Sequence, residues 1–332
     1  MEKIKQESRF TLFINNYLSE IIAFVMLVGV FIISILTNPS LFTVDYLFRQ
    51  FSFYFELGFL ALASTIILIS GNLDLSIASL LTMTICIVGS SHVEMGLPMG
   101  VSIIIGLLVG IIAGALNGYL ISYIGLPSLV VTLGTLSLYR GVAKILLGDH
   151  SLQGFPEWFV GVHKIVIQGT PIKITFIILL LLVFLTSLLL QKTVFGRYIF
   201  ALGVNEEAAR YSGVPTKKVK FLIFVISGLF SSIAGIMLLS RLAVARYDLA
   251  GGWELQAITA AVLGGTLITG GRGTAQGTFI ALLLLMFLRT GMGIADIKIE
   301  SQMTIVGFLL VFSVVLFQFI EKMRTERRKP QE

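Results

Sequence analysis

The chain has little charge. Asp, Glu, Lys and Arg make up 13% of its 332 residues, about half the share of a soluble domain. It has one cysteine, Cys86, so no disulfide framework is possible. It has three histidines, His92, His150 and His163. All three fall in loops predicted to lie outside, and no zinc-protease or nucleophile-elbow pattern accompanies them. No Gly-x-x-x-x-Gly-Lys-Ser/Thr stretch occurs, which excludes ATP hydrolysis by a phosphate-loop mechanism within this chain. The residues before the first apolar run are polar and charged, so a cleavable leader is not expected.

What remains is apolar: 56% hydrophobic residues and a mean hydropathy of +0.95. The apolar residues come in long runs, at 21–36, 101–124, 174–190, 221–240 and 302–320. A helix needs roughly 20 apolar residues to cross a bilayer. Only helices and closed barrels satisfy their backbone in lipid, and a barrel would show short alternating segments. The fold class is therefore all-α, a polytopic helical membrane protein. About ten transmembrane helices fit the hydropathy, near 20–37, 51–70, 75–91, 101–124, 127–147, 174–190, 221–240, 257–270, 276–292 and 302–320. Residues 1–19 then form a first cytoplasmic segment, 20–320 a single transmembrane domain that includes the loop 192–220, and 321–332 a basic cytoplasmic tail.

Three basic clusters orient these spans. Lys3, Lys5 and Arg9 lie at the head, and Lys192, Arg197, Arg210, Lys217, Lys218 and Lys220 in the loop 192–220. Lys322, Arg324, Arg327, Arg328 and Lys329 lie in the tail. An even number of spans puts both termini on one side, and the count places the 192–220 loop there too. Positive loops stay in the cytoplasm, so all three clusters are expected there. This distribution suits membrane topology, whereas a nucleic-acid protein would gather its cations with aromatics on a folded face.

Within that loop, Asn205-Glu206-Glu207-Ala208-Ala209-Arg210-Tyr211-Ser212-Gly213 reads as a short capped helix. Asn205 is a good N-cap. Glu206 and Glu207 suit the positive end of the helix dipole, and Arg210 the negative end. Gly213 suits the left-handed closing residue, and Pro215 prevents continuation. Two turns are not stable alone in water. The small residues Ala208, Ala209 and Ser212 predict a face that docks into another protein.

Other motifs have plainer readings. Gly106, Gly110, Gly114 and Gly118 form a small-residue stripe for close helix packing. Gly71, Asn72 and Asp74 interrupt the second and third spans. They are read either as a polar turn or as a broken helix beside a pathway, with Asp74 expected to cap through the amides of Ser76 and Ile77. The glycine-rich stretch 264–277 lacks a preceding strand, so a tight turn is expected in place of a nucleotide loop. Glu56, Arg140, Lys144 and Arg289 lie near outer span ends, where snorkelling to water is expected.

Four segments together resemble one family, the transmembrane permease subunits of bacterial ABC importers for sugars. That group includes ribose, xylose, rhamnose and autoinducer-2 systems, and the resemblance spans roughly residues 45–320. The segments are Gly71-Asn72-Leu73-Asp74-Leu75-Ser76-Ile77-Ala78-Ser79, Leu126-Pro127-Ser128-Leu129-Val130-Val131-Thr132-Leu133-Gly134-Thr135, the 195–213 stretch, and Ala257-Ile258-Thr259-Ala260-Ala261-Val262-Leu263-Gly264-Gly265. Asn72 and Ala78 stand where the family pattern has glycines. The resemblance implies an architecture similar to the ten-span importer permeases, in the bacterial inner membrane.

It also implies partners: an ATP-binding subunit that holds ATP and Mg, a periplasmic or lipoprotein substrate-binding protein, and a second permease subunit, identical or paralogous. No cofactor, metal or nucleic acid is expected on this chain itself, and it is not expected to be an enzyme. Asn205, Glu206, Glu207, Ala208, Ala209, Arg210 and Gly213 become the ATPase-coupling segment. Asn72, Asp74, Ser76, Ser79, Asn117, Thr132 and Thr135 become candidates to face the translocation path, with interhelical hydrogen bonding as the competing reading. The substrate class implied is a sugar or sugar-like small molecule. The rival is an ion-coupled secondary transporter, which would need ionisable groups at mid-depth.

Overall fold

The computed structural model describes residues 9–37, 43–309, 311, 312 and 315. Lys3, Lys5, the basic tail and part of the predicted span 302–320 lie outside them. Apart from two isolated bridges, Leu152 to Ala245 and Val166 to Lys173, the described residues are helix and loop.

The centre is α3 (Phe55–Ile69). Every one of its residues is buried, as expected of a helix that is apolar on all sides. Against it pack α11 (Thr216–Leu242), α12 (Trp253–Leu263), α8 (Ile174–Lys192) and α13 (Ala275–Ile294). Beyond α11 lie α4 (Ile77–Val93) and α5 (Met99–Tyr119), with α6 (Ser128–Leu147) on α4 and α1 (Arg9–Thr37) against α13. The outer helices present large apolar side chains to the surroundings, such as Ile112 on α5 and Phe184 on α8. Chains in water bury such residues, and chains in lipid do not need to.

Among the described residues, five helices are long and apolar enough to cross a membrane: α5 with its π-helical end (Met99–Ile124), α6, α8, α11 and α13. A sixth crossing is possible if α2 (Val44–Phe51) and α3, bent by 56°, act as one. Three predicted spans need correction. The 257–270 segment is not continuous: α12 has 11 residues, about 16 Å at 1.5 Å per residue, and irregular chain follows from Gly264. The 51–70 segment breaks at Ser52–Tyr54. The 75–91 segment is helical only from Ile77, after an irregular stretch at 70–76.

The predicted loop 192–220 is mostly helix. It contains α9 (Val194–Val204), α10 (Glu206–Tyr211) and the first turns of α11. Sequence reading missed α9 because its apolar run is too short to resemble a span.

The glycine stripe packs as expected, against α11 along most of its length. A Cβ on Gly110 would lie 2.4 Å from Ser232, and one on Gly114 2.4 Å from the Phe224 carbonyl oxygen. Gly118 faces Phe221 in the same way, while Gly106 faces Val88 of α4.

Candidate functional site: a capped helix beside a broken membrane core

The short helix α10 is built as its sequence dictates. The Asn205 side-chain oxygen accepts the Ala208 amide at 2.9 Å. Gly213 takes φ +85°, where a side chain would be strained, and the Val214 amide returns to the Ala209 carbonyl at 3.0 Å. Glu206 forms an ion pair with Lys220 of α11 at 2.5 Å, which fixes α10 to the long helix.

The structure reassigns its faces. Ala209 is buried against the chain itself, whereas Ala208, Ser212 and Tyr211 point outward. Tyr211 is 82% exposed, with Arg210 over its ring at 5.4 Å. The exposed face of α10 is thus Ala208, Tyr211 and Ser212, and of the predicted small face Ala208, Ala209 and Ser212 only Ala209 is turned inward. Sequence reading missed Tyr211, although the three-residue spacing from Ala208 was a usable signal.

Behind α10, three irregular segments meet. The break after α3 turns at Ser70 and Gly71, whose backbone approaches Gly270 of the glycine-rich loop. The Gly271 amide donates to the Ile69 carbonyl at 2.8 Å. Gly203, two residues before the Asn205 cap, presses on the same carbonyl: a Cβ there would lie 1.8 Å from it. The glycines of 264–277 therefore serve close backbone contact. Gly203→Ala is expected to lower the melting temperature in detergent measurably, because the clash is with backbone oxygen and no rotamer relieves it. An unchanged melting temperature would contradict this packing.

Next to the break lies a buried polar cluster. Asp74 accepts hydrogen bonds from the Ser76 amide at 2.9 Å, the Ser76 hydroxyl at 2.6 Å and the Ser227 hydroxyl at 3.0 Å. Its expected bond to the Ile77 amide is not formed. Asn117 donates to Ser76 Oγ at 2.9 Å and accepts from Tyr139 at 3.3 Å. Leu73 donates to Ser128 Oγ at 3.1 Å. This network joins α4, α5, α6 and α11 at the broken segment.

All seven candidate path residues are buried within the chain. Asn72 bonds to Ser70, Ser79 to the Ser76 carbonyl, Thr132 to the Ser128 carbonyl and Thr135 to the Val131 carbonyl. Asp74, Ser76 and Asn117 come together in one network. Asn72, Ser79 and Thr135 satisfy themselves locally, whereas the Thr132 hydroxyl also reaches the Leu73 carbonyl of the broken segment at 3.4 Å. Ser227 and Tyr139, which complete the network, were not singled out by sequence.

Of the four ionisable residues expected to reach water near outer span ends, Lys144 is exposed, Arg140 and Arg289 are half-buried, and Glu56 does not reach it. Glu56 is fully buried and pairs with Arg241 at 2.9 Å. His163, from the loop after α6, stands 3.5 Å from the same carboxylate oxygen. Burial, and then Arg241, hold the His163 imidazole down at about 4, against a usual 6.5. Arg140 donates to the Leu249 carbonyl at 2.8 Å and the Tyr247 carbonyl at 3.2 Å, and Lys144 lies over the Tyr247 ring. Among the described residues no cluster of metal-ligating side chains occurs.

A many-helix core with broken central helices, and a capped helix standing out beside it, defines a polytopic membrane transport protein. Residues 46–314 match the family model described as branched-chain amino acid transport system / permease component, and the chain belongs to that family. It is a multi-pass membrane permease component of the ABC importer class. Similar proteins include the autoinducer 2 import system permease protein LsrD of Photorhabdus laumondii and of Photorhabdus temperata, each 33% identical over 287 residues. The protein of the same name from Salmonella typhimurium is also 33% identical over 287 residues. In each case the match covers 84% of this chain and 85% of the relative. No solved structure matches the chain.

Proposed function

We propose that this permease couples to a separate ATP-hydrolysing subunit through α10, and that it moves a sugar-like small molecule delivered by an extracytoplasmic binding protein. The observation that carries the coupling reading is α10 itself. It is a two-turn helix with both ends closed, held to α11 by Glu206 and Lys220, and it leaves Ala208, Tyr211 and Ser212 free. An exposed aromatic flanked by small residues is the composition of an interface anchor.

The basic loop around α10 faces the cytoplasm in this reading, and both termini lie on that side. ATP and Mg sit in the partner subunit. A push on α10 has two routes into the membrane. One runs through α9 and Gly203 to the Ile69 carbonyl, and so to the break at 70–76. The other runs along α11, from Lys220 to Arg241 at its far end. A second permease copy or paralogue completes the pathway, and the Asp74 cluster holds the broken segment that borders it. The relatives named for autoinducer 2 support a small sugar-like substrate.

The test is capture of the ATPase by the purified full chain. Tyr211→Ala is expected to weaken capture by about tenfold or more, as removal of an aromatic anchor does, with substrate uptake falling in parallel. Ala208→Trp should block capture by bulk. If both variants bind and transport like the parent, α10 is not the coupling element.

A further inference from the structure

A cavity of about 770 Å³ lies between the π-helical end of α5 (Leu120–Ile124) and the α10–α11 corner. Its charged lining is Arg210, Lys217, Lys218 and Lys220 against Glu206 and Glu207, so cations are in excess. Lys220 is taken by Glu206. Lys217 and Lys218 are exposed and make no ion pair or hydrogen bond among the described residues. The opposite wall is apolar and belongs to a membrane helix: Tyr123 and Ile124 are 45% and 55% exposed, and Tyr119 stacks on Tyr123 at 5.7 Å.

We propose that this cavity binds an anionic phospholipid of the cytoplasmic leaflet, with its phosphate at Lys217 and Lys218 and its glycerol and upper acyl chain along Tyr123 and Ile124. The inference rests on the cytoplasmic placement of α10 given above. A free anion would use the lysines but gain nothing from the exposed apolar wall. A lipid uses both, and a basic pocket at the ends of membrane helices suits a lipid headgroup. Exposed tyrosines are at home at that depth of the bilayer. A lipid seated there would brace α10 against the end of α5.

The full chain in phosphatidylcholine nanodiscs, with and without phosphatidylglycerol, tests this by native mass spectrometry. The parent is expected to retain phosphatidylglycerol. Lys217→Gln/Lys218→Gln is expected to lose about thirtyfold in retention, at about fivefold per lysine, with an unchanged melting temperature in phosphatidylcholine. Equal retention by parent and variant overturns the proposal. So does displacement of the lipid by millimolar inorganic phosphate, which would mark a free-anion site. Loss of ATPase capture by the lysine variant with lipid retention intact overturns it in favour of an acidic segment of the partner. Tyr211→Ala should leave lipid retention unchanged, so failure of the coupling reading and failure of this one give different patterns.

Discussion

Arg241→Ala is expected to destabilise the protein by about 3–5 kcal/mol, the range for removing one member of a buried ion pair. Glu56 is the reason. It is fully buried, and Arg241 is its ion-pair partner at hydrogen-bonding distance. Its second oxygen and both His163 ring nitrogens find no hydrogen-bond partner among the described residues. Without Arg241 the carboxylate would be left uncompensated in a fully buried position. The double variant Glu56→Gln/Arg241→Met should cost clearly less than the single one, because it removes both charges together. Denaturant titration of the detergent-solubilised chain measures both. A single-variant cost under about 1 kcal/mol would show that the pair carries little.

The same cluster predicts a pH dependence. His163 is held neutral down to about 4 in the folded chain, while the unfolded chain takes up a proton near 6.5. The unfolded state therefore binds more protons between these values. Stability should fall as pH drops from about 6.5 through 4. Arg241 contributes to holding His163 down, so the slope should be shallower in Arg241→Ala. A flat profile in the parent would contradict the burial of His163.

Gly114→Val or Gly228→Ala is expected to loosen the α5–α11 contact. A Cβ on Gly228 would lie 2.2 Å from the Gly110 carbonyl oxygen and 2.9 Å from Gly114 Cα. The obstructing atoms are backbone on both sides, so the helices must separate. Overpacking of this kind costs about 1–3 kcal/mol, occasionally more. Because α11 carries both Lys220 and Arg241, transport should fall along with stability. The control is Gly134→Ala on α6, where a Cβ meets nothing within 4 Å. That change should leave stability unchanged or raise it, since alanine restricts the unfolded chain. If Gly134→Ala and Gly228→Ala melt alike, the stripe is not a contact surface.

Much of the fold was legible because bilayer physics leaves few options. Long uncharged runs had to be helices, and α5, α6, α8 and α11 lie where hydropathy put them. The capping of α10 was legible because N-cap, dipole and left-handed closure are local chemistry. The glycine stripe on α5 was legible as a contact surface, though not its partner. Small residues on α11, Gly228 and Ser232 among them, were the matching signal.

Other features depended on distant parts of the chain. Glu56, His163 and Arg241 are separated by more than a hundred residues at their widest, and only the bundle brings them together. Inspected singly, Glu56 suggested a side chain reaching for water and His163 a residue of an outer loop, and Arg241 was not singled out. Ser227 and Tyr139 join Asp74 and Asn117 for the same reason. The faces of α10 were decided by what it packs on: Ala209 turned inward and Tyr211 outward once Lys220 and the α9 end fixed the helix. The shortness of α12 was hidden because its glycine-rich continuation is apolar enough to pass as membrane. The sequence by itself determined a helical membrane protein with a short capped helix in its basic loop, since hydropathy and capping act over one helix at a time. The tertiary structure alone decided which charges meet, which helices break and which face of α10 is free, because those depend on burial between segments remote in sequence.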